Sequence, residues 1–594
     1  MAGTMAAAGQ AGGPRPAPGQ YSRLRPASRR HGQVRCLGLP VVWASLFALM
    51  AAGACREASW FAEVGEASGL DFRYHSGAQG DLLMPEIMGG GVGLLDLDAD
   101  GDLDLYLPDG HGELPGFGDQ EGAGPGGDRL FLQEGGAFRD ASADMGLVEQ
   151  GYSMGVAAGD IDNDGLPDLY VTNVGQDRLL RNLGAGRFAD ITADAGIVDE
   201  GWSVSAAFCD VDGDGLLDLY VARYLDFDPE QRCQNMAGQP EYCGPKSYRP
   251  LSDRLYRNLG DRRFADRSQA SGVAGVAAAG LGVVCADLDG DGSQDFYVAN
   301  DGDANLLWIN DGKGVFSDRA VAWGAAFDLR GRAQAGMGLV LADLNGDLRD
   351  DLLVTNLRDE VNALYLAQDE GFLDQTAASG LGPPSLPLTG FGVTAGDLDL
   401  DGQVDIAVAN GRVRRDVPLP GSAMPAPWDR LAEPGSLYIG LGAGQYHPAD
   451  AATCGPFCAH QDLGRGLVSG DVDGDGDLDL IRGGIEGPLR LYRNEAPKRG
   501  GWLILRLVDE RYRRDAIGAT VTLLTADGRR WRRTLSGGGS YGSAGPMDLH
   551  FGLGDRAAGL EAEVAWPDGL RERFALRCQD CRLSLQRGSG QQRP

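Results

Sequence analysis

The chain has 594 residues, a formal net charge of −32, 93 glycines, and a composition that is 43% hydrophobic and 7% aromatic. That length exceeds one compact core, so several domains or a repeat array is expected; the hydrophobic content excludes a disordered chain, and so many glycines with few aromatics read as turn-rich all-β structure. A surface this acidic repels nucleic acid and anionic lipid and attracts cations.

The first 54 residues hold six arginines and no acid, which leaves −38 on the remainder. The arginines lead into the apolar run Leu37–Ala54, which ends in small residues before Cys55, the layout of an export signal. Ala52-Gly53-Ala54-Cys55 resembles the lipobox of bacterial lipoproteins, although leucine is commoner where Ala52 stands. On that reading residues 1–54 are a cleaved signal, Cys55 carries lipid, and residues 55–60 are a short linker, so the only membrane contact is the amino-terminal anchor. An uncleaved spanning segment is the alternative, because the run is near the lower length limit. Both routes lead out of the cytoplasm, to the bacterial cell envelope or beyond.

From residue 61 to 497 the pattern D-x-[DN]-x-D-x-x-x-D begins seven times, at Asp96, Asp160, Asp210, Asp287, Asp343, Asp397 and Asp471. Each copy follows a run of small and apolar residues, such as SMGVAAG or LGVVCA, and precedes a β-type run such as DLYVT or DFYVA. The aspartates therefore sit on loops joining two strands. Between loops, DRLLRNLGAGRFADIT (177–192), DRLYRNLGDRRFADRS (253–268) and NLLWINDGKGVFSDRA (305–320) repeat a strand, an N-x-G turn and a strand, a hairpin signal. Four short strands in each of seven units predict a seven-bladed β-propeller. Two longer stretches, 223–252 and the Pro-rich 411–434, read as insertions on its face.

Within D-x-D-x-D-G-x-x-D the first, third, fifth and ninth side chains can converge on one ion while the seventh residue offers its carbonyl, and glycine at position six permits the tight turn. The predicted ligands are Asp96, Asp98, Asp100 and Asp104; Asp160, Asp162, Asp164 and Asp168; Asp210, Asp212, Asp214 and Asp218; and Asp287, Asp289, Asp291 and Asp295. The remaining three loops supply Asp343, Asn345, Asp347 and Asp351; Asp397, Asp399, Asp401 and Asp405; and Asp471, Asp473, Asp475 and Asp479. Oxygen-only ligands on flexible loops suit calcium, whereas magnesium wants a stricter octahedron and zinc wants nitrogen or sulfur. A solvated acidic loop or an Asx turn is the bland alternative, and seven copies in one register speak against it.

These blades resemble the FG-GAP/VCBS repeats of integrin-α-type propellers, and the whole arrangement is similar to the cartilage acidic protein family. That family appends an ASPIC and UnbV domain, which residues 500–577 resemble through AIGATVTLL, LSGGGSYGSA, HFGLGD and VAWPDG. The resemblance implies a calcium-binding seven-bladed propeller over 61–497, a small β domain over 498–585 and a disordered tail over 586–594, on an extracellular or cell-surface protein. Two departures matter. In the fifth loop Leu348 replaces glycine and Asn345 replaces aspartate, and Gly542-Ser543-Ala544 stands where serine–glutamine is expected.

In an exported chain, Cys36 leaves with the signal, and the close couples Cys233/Cys243, Cys454/Cys458 and Cys578/Cys581 read as local disulfides. Cys209 and Cys285 lie in apolar strands and read as buried thiols. A metal site at His460 beside Cys458 is the alternative to the second disulfide. Gly538-Gly539-Ser540-Tyr541-Gly542, with Asp548 and His550 behind it, fits G-x-S-x-G. It lacks the strand-to-helix setting of a nucleophile elbow and reads as a β-turn.

Two function classes follow: a surface scaffold that binds an unknown protein or glycan on a propeller face, and a hydrolase or lyase of extracellular polysaccharide. The second needs two acids outside the loops. Glu113, Glu230, Glu241 and Glu433 are the candidates, each also explained as a solvated surface acid.

Overall fold

The computed structural model describes residues 59–110, 127–146, 151–555 and 558–592. Cys55, the export signal and Glu113 lie outside the described residues. No helix among these is long and apolar enough to cross a membrane.

Among the described residues seven antiparallel sheets follow one another along the chain, five of four strands and two, the fourth and the seventh, with a short fifth strand added. In the second, Tyr152–Gly159, Asp168–Val174, Arg178–Asn182 and Phe188–Asp190 pair in order. The seventh takes its outer strand, Phe61–Glu63, from the start of the described chain. The first strands of the sheets are Gly93–Leu95, Tyr152–Gly159, Ser203–Cys209, Gly280–Ala286, Leu339–Ala342, Gly390–Gly396 and Gln461–Gly470. They touch one another in that cyclic order, and the last touches the first. Crowding around the axis explains their small residues: a Cβ on Gly392 would stand 2.4 Å from Arg465 O, and one on Gly282 would stand 2.5 Å from Met337 O.

Polar ties hold each sheet together and fasten it to its neighbour. A tyrosine on the second strand donates to an aspartate at the entry to the third: Tyr106 to Asp128 (2.6 Å), Tyr170 to Asp177 (2.8 Å) and Tyr220 to Asp253 (2.6 Å). The asparagine of the N-x-G turn reaches the preceding sheet's aspartate loop. Asn182 Nδ2 donates to Leu97 O (2.9 Å), Asn258 to Ile161 O (2.9 Å) and Asn310 to Val211 O (2.8 Å), and Asn494, at the same place in the seventh sheet but without the glycine, to Leu398 O (2.8 Å). Each amide would be costly to bury unpaired, so these bonds fix the stagger between blades as well as closing it.

After Asn494 the chain builds two more sheets. One contains Trp502–Asp509 between Asp548–Gly552 and the parallel strand Cys581–Gln586. The other runs Arg530–Thr534, Thr520–Leu524, Glu561–Ala565, Arg571–Ala575 and Gln591–Gln592. Leu503, Leu505, Val521, Leu523, Phe551 and Trp566 form part of the buried core between them. The edge strand Gln591–Gln592 pairs with Glu572 and Arg573, so ordered sheet continues past residue 585, where the sequence reads as a disordered tail. Alternating polar side chains on a short edge strand give no apolar signal to read.

Four disulfides are present among the described residues. Cys233–Cys243, Cys454–Cys458 and Cys578–Cys581 are local. The fourth corrects the reading of Cys209 and Cys285 as buried thiols: they are buried but bonded to each other, with Cα atoms 6.5 Å apart. They end the first strands of the third and fourth sheets, which converge at the axis, so 76 residues of separation close to one covalent bond.

Candidate metal centres and the axial plug

Each aspartate loop joins the first and second strands of its sheet, so all seven project from one end of the ring. The ninth residue is a staple. Both oxygens of Asp168 accept amides, from Ile161 (3.0 Å) and Asn182 (2.7 Å), and Asp104, Asp218, Asp295, Asp351, Asp405 and Asp479 repeat the arrangement. Burial pushes Asp104 up to about 7 and Asp168, Asp218, Asp295, Asp351 and Asp479 up to about 8. The first residue gathers the loop amides: Asp160 accepts from Asp164 N (3.1 Å) and Gly165 N (2.8 Å), and Asp397 from Asp401 N (3.0 Å) and Gly402 N (2.7 Å).

Asp96, Asp98 and Asp104 each bring an oxygen within 4.8 Å of the others, as do Asp160, Asp162 and Asp168; Asp210, Asp212 and Asp218; and Asp397, Asp399 and Asp405. Positions one, three and nine therefore converge. Position five accepts the amide two residues on: Asp164 from Leu166 N (3.1 Å), Asp214 from Leu216 N (3.0 Å), Asp401 from Gln403 N (2.9 Å) and Asp291 from Ser293 N (2.7 Å). In the fourth loop the convergent set is Asp287, Asp289 and Asp291 instead.

The donors fit a hard divalent ion. They are carboxylate oxygens only, and Asp96 Oδ1, Asp162 Oδ1 and Asp212 Oδ1 are buried yet accept no hydrogen bond. An orphaned buried carboxylate oxygen is costly unless a cation meets it. The opposite oxygens of the position-three carboxylates are held by basic residues that sequence reasoning missed. Arg181 Nε lies 2.8 Å from Asp162 and Nη2 3.0 Å from Asp164, and Arg257 Nη2 lies 2.5 Å from Asp212 and 3.2 Å from Asp214. The signal was present in the repeated R-N before the N-x-G turn.

The fifth loop closes like the rest at a backbone cost. Position six has φ of 99° at Gly101, 96° at Gly165, 87° at Gly215, 94° at Gly292, 93° at Gly402 and 92° at Gly476; Leu348 takes φ 72° in the same place and donates to Asp343 (3.0 Å). Position four is also left-handed, and Ala99, Asn163 and Leu400 occupy it at 65°, 59° and 60°.

The run Gly537–Ala544 is not a surface turn. It leaves the carboxy-terminal domain and enters the axis of the ring, bonding to the first strand, or the residue beside it, in every sheet. Ala544 N donates to Val92 O (2.9 Å), Val156 N to Gly542 O (3.0 Å), Gly539 N to Val283 O (2.9 Å) and Ser540 N to Leu339 O (2.7 Å). Gly542 N donates to Ser205 Oγ (3.0 Å), Val393 N to Ser540 Oγ (3.2 Å) and Ser540 Oγ to Leu467 O (2.8 Å). Tyr541, fully buried, reaches the opposite end and donates to Met88 O (2.5 Å). The Ser540 hydroxyl is engaged on both sides by backbone, while His550 Nε2 lies 3.0 Å from Gly476 O; burial holds its ring down at about 4.

Among the loop acids, Glu230 is exposed, Glu241 pairs with Arg415 (3.0 Å), and Glu433 is buried, accepting from Thr389 N (2.9 Å) and pairing with Arg412 (3.2 Å). His460 Nδ1 lies 3.3 Å from Tyr492 Oη, and Cys458 is bonded to Cys454.

The FG-GAP-like repeat model matches residues 96–171, 160–221, 287–354 and 343–408, and the ASPIC and UnbV model matches residues 509–592. With the ring of sheets and the domain plugged into it, these matches define the class: an FG-GAP propeller carrying an ASPIC and UnbV domain. The chain is 28% identical to cartilage acidic protein 1 of Homo sapiens over 405 residues, 58% of this chain and 59% of that protein. It is also 28% identical to the Mus musculus protein over 409 residues, 58% and 60% of the two chains. Its matches span about three fifths of those relatives' length, and together with the two domain matches they support a resemblance to the cartilage acidic protein family. Among solved structures it is similar to an Agrocybe aegerita lectin described as recognising non-reducing terminal N-acetylglucosamine, at 18% identity and TM-score 0.37, covering 62% of this chain and 81% of that one.

Proposed function

We propose that the protein is an exported calcium-binding propeller, tethered through a lipid on Cys55, that serves as an interaction scaffold outside the cytoplasm. Similarity to cartilage acidic protein 1 and the FG-GAP-like repeats supports the extracellular setting. The observation that carries the metal reading is the set of carboxylate triads with orphaned inner oxygens at Asp96, Asp162 and Asp212. Calcium would be held there by positions one, three and nine and would supply charge neutralisation and loop closure. The carboxy-terminal domain covers the loop end, so the partner, a protein or a glycan, binds at the opposite end or on the blade rims, where residues 225–250 and 411–434 lie.

Equilibrium dialysis of the full chain against calcium tests the metal reading: several ions bound per chain are expected, and none bound overturns it. Detergent partitioning of the full chain, lost on Cys55→Ser, tests the tether, and partitioning that survives the substitution means a spanning anchor instead.

A further inference from the structure

We infer that filling of the aspartate loops by cations and seating of the carboxy-terminal domain are one linked equilibrium, the axial plug staying in place only while the loops are held closed. This rests on the calcium reading above and adds what the ions do for the second domain.

The domain grips the loops mainly through shape and backbone. Trp531 Nε1 donates to Gly402 O (3.1 Å), and His550 Nε2 lies 3.0 Å from Gly476 O. A Cβ on Gly215 would stand 2.2 Å from the Tyr512 ring, and one on Gly476 would stand 1.9 Å from the Trp502 indole. All of these glycines are position six of a loop. Their left-handed backbone is set when the first aspartate collects their amides, Gly215 N to Asp210 (2.9 Å), Gly402 N to Asp397 (2.7 Å) and Gly476 N to Asp471 (3.2 Å). An open loop presents no such seat.

The linker is wired into the same loops. Lys498 Nζ lies 2.8 Å from Asp475 and 3.4 Å from Asp477, while Arg499 Nε lies 3.1 Å from Asp399 and Nη1 3.2 Å from Asp401. Beyond the linker, the plug is bonded to strands that run directly into the loops, so a loop that opens under carboxylate repulsion pulls on a strand end that the plug needs.

The sign follows from comparing the two kinds of contact. Arg506 lies 4.0 Å from Asp96 and Arg582 3.7 Å from Asp471. Such long, partly exposed pairs favour empty, more negative loops but are weak in water, and the shorter pairs Arg499–Asp399 and Arg532–Asp350, both 3.1 Å, pull in the same direction at two of the seven loops. The close-packed contacts on the position-six glycines favour closed ones and prevail. Linkage is reciprocal, so losing the domain must also weaken cation binding.

Hydrogen exchange on the full chain, with bound calcium counted on the same samples, tests this. The plug amides of Gly539, Ser540 and Ala544 should exchange at least about tenfold faster in EDTA than in millimolar calcium, while the outer strands Arg254–Asn258 and Phe264–Asp266 change by less than about twofold. Trp531→Phe, which loses the bond to Gly402 O but keeps the ring, should weaken calcium binding by about threefold or more, the lower end of ordinary coupling. Unchanged or slower plug exchange in EDTA with calcium demonstrably bound in its absence overturns the linkage and leaves the calcium reading standing. Equal loss of protection in every sheet also overturns it, since the ions would then hold the whole fold. A chain that binds no calcium overturns both.

Discussion

The two ends of the propeller are built on opposite logics. At the loop end one device is repeated seven times, made of carboxylates and amides, and a second domain covers it. At the other end the connections differ from sheet to sheet, and the space under them is filled by Tyr74, Met84, Trp202, Tyr224, Met424 and Trp428 around Tyr541 of the plug. Charge there is rare and individually handled. Arg465, fully buried, donates to the carbonyls of Ile87 (2.7 Å), Gly411 (3.0 Å) and Gly464 (2.7 Å), stands over the Phe391 ring at 3.8 Å, and is pulled down to about 9 by burial. On the calcium reading the loop end draws its charge balance from an ion, whereas the far end pairs its buried charges within the chain.

The sharpest way to break that contrast is to remove the cations. A site at a hundredfold excess over its dissociation constant adds roughly 2.7 kcal/mol, so two filled loops already outweigh any substitution below. Calorimetry should show a large fall in melting temperature in EDTA. Equal melting in EDTA and millimolar calcium would mean that the carboxylates are balanced by arginine and lysine alone.

The far end should answer to pH through a group of its own. Glu86 is 2% exposed and takes a hydrogen bond from Tyr242 Oη (3.3 Å); burial, aided by Asp81 and opposed by Tyr242 and Arg232, pushes it up to about 7 from 4.5. A raised folded-state value means that its stabilising share is full below the unfolded value and is lost as pH rises through 7. That amounts to about 3 kcal/mol at 1.36 kcal/mol per unit. Glu86→Gln should take this one group's share out of the slope in denaturant titrations between pH 5 and 8, the rest coming from raised groups such as Asp168 and Asp218, and a slope unchanged by the substitution assigns the share elsewhere.

Within the loop end, substitutions rank the sites. Asp212→Asn with Asp214→Asn neutralises the carboxylate that carries an orphaned oxygen and both acidic partners of Arg257, and in calcium should cost about 2 kcal/mol, most of one site. Asn345→Ala with Asp347→Asn, in a loop that already lacks one charge, should cost less than half of that. Equal losses by calorimetry would show that the loops do not differ in occupancy.

What could be read in the sequence follows the same division. The strand order, the loop ends and the convergence of positions one, three and nine follow from a local pattern copied in fixed register. The amide that position five accepts was hidden, because an Asx turn and an ion ligand use the same residue at the same spacing. The plug was hidden for a different reason. Ser543 Oγ accepts from Val92 N across 451 residues, and a glycine run whose partners lie on seven distant strands carries the signature of an ordinary turn. Cys209 and Cys285 escaped likewise, since only ring closure brings the ends of two first strands together.

The smallest predicted effect isolates the backbone from the ligands. Leu348 and Gly292 occupy the same loop position, at φ 72° and 94°. A side chain in the left-handed region costs about 1 to 2 kcal/mol, while glycine gives back roughly 0.5 to 1 kcal/mol through its freer unfolded chain. Leu348→Gly should therefore stabilise the protein by up to about 1 kcal/mol, less whatever the half-buried leucine contributes by packing. The reverse change separates those two contributions. A Cβ on Gly292 meets nothing within 4 Å, so Gly292→Leu suffers the backbone cost with no clash and little packing gain, and should lose about 1 kcal/mol. Opposite signs in urea titrations of the two variants locate the weakness of the fifth loop in its turn. A loss for Leu348→Gly would locate it in Asn345 alone, with the leucine earning its place by contact.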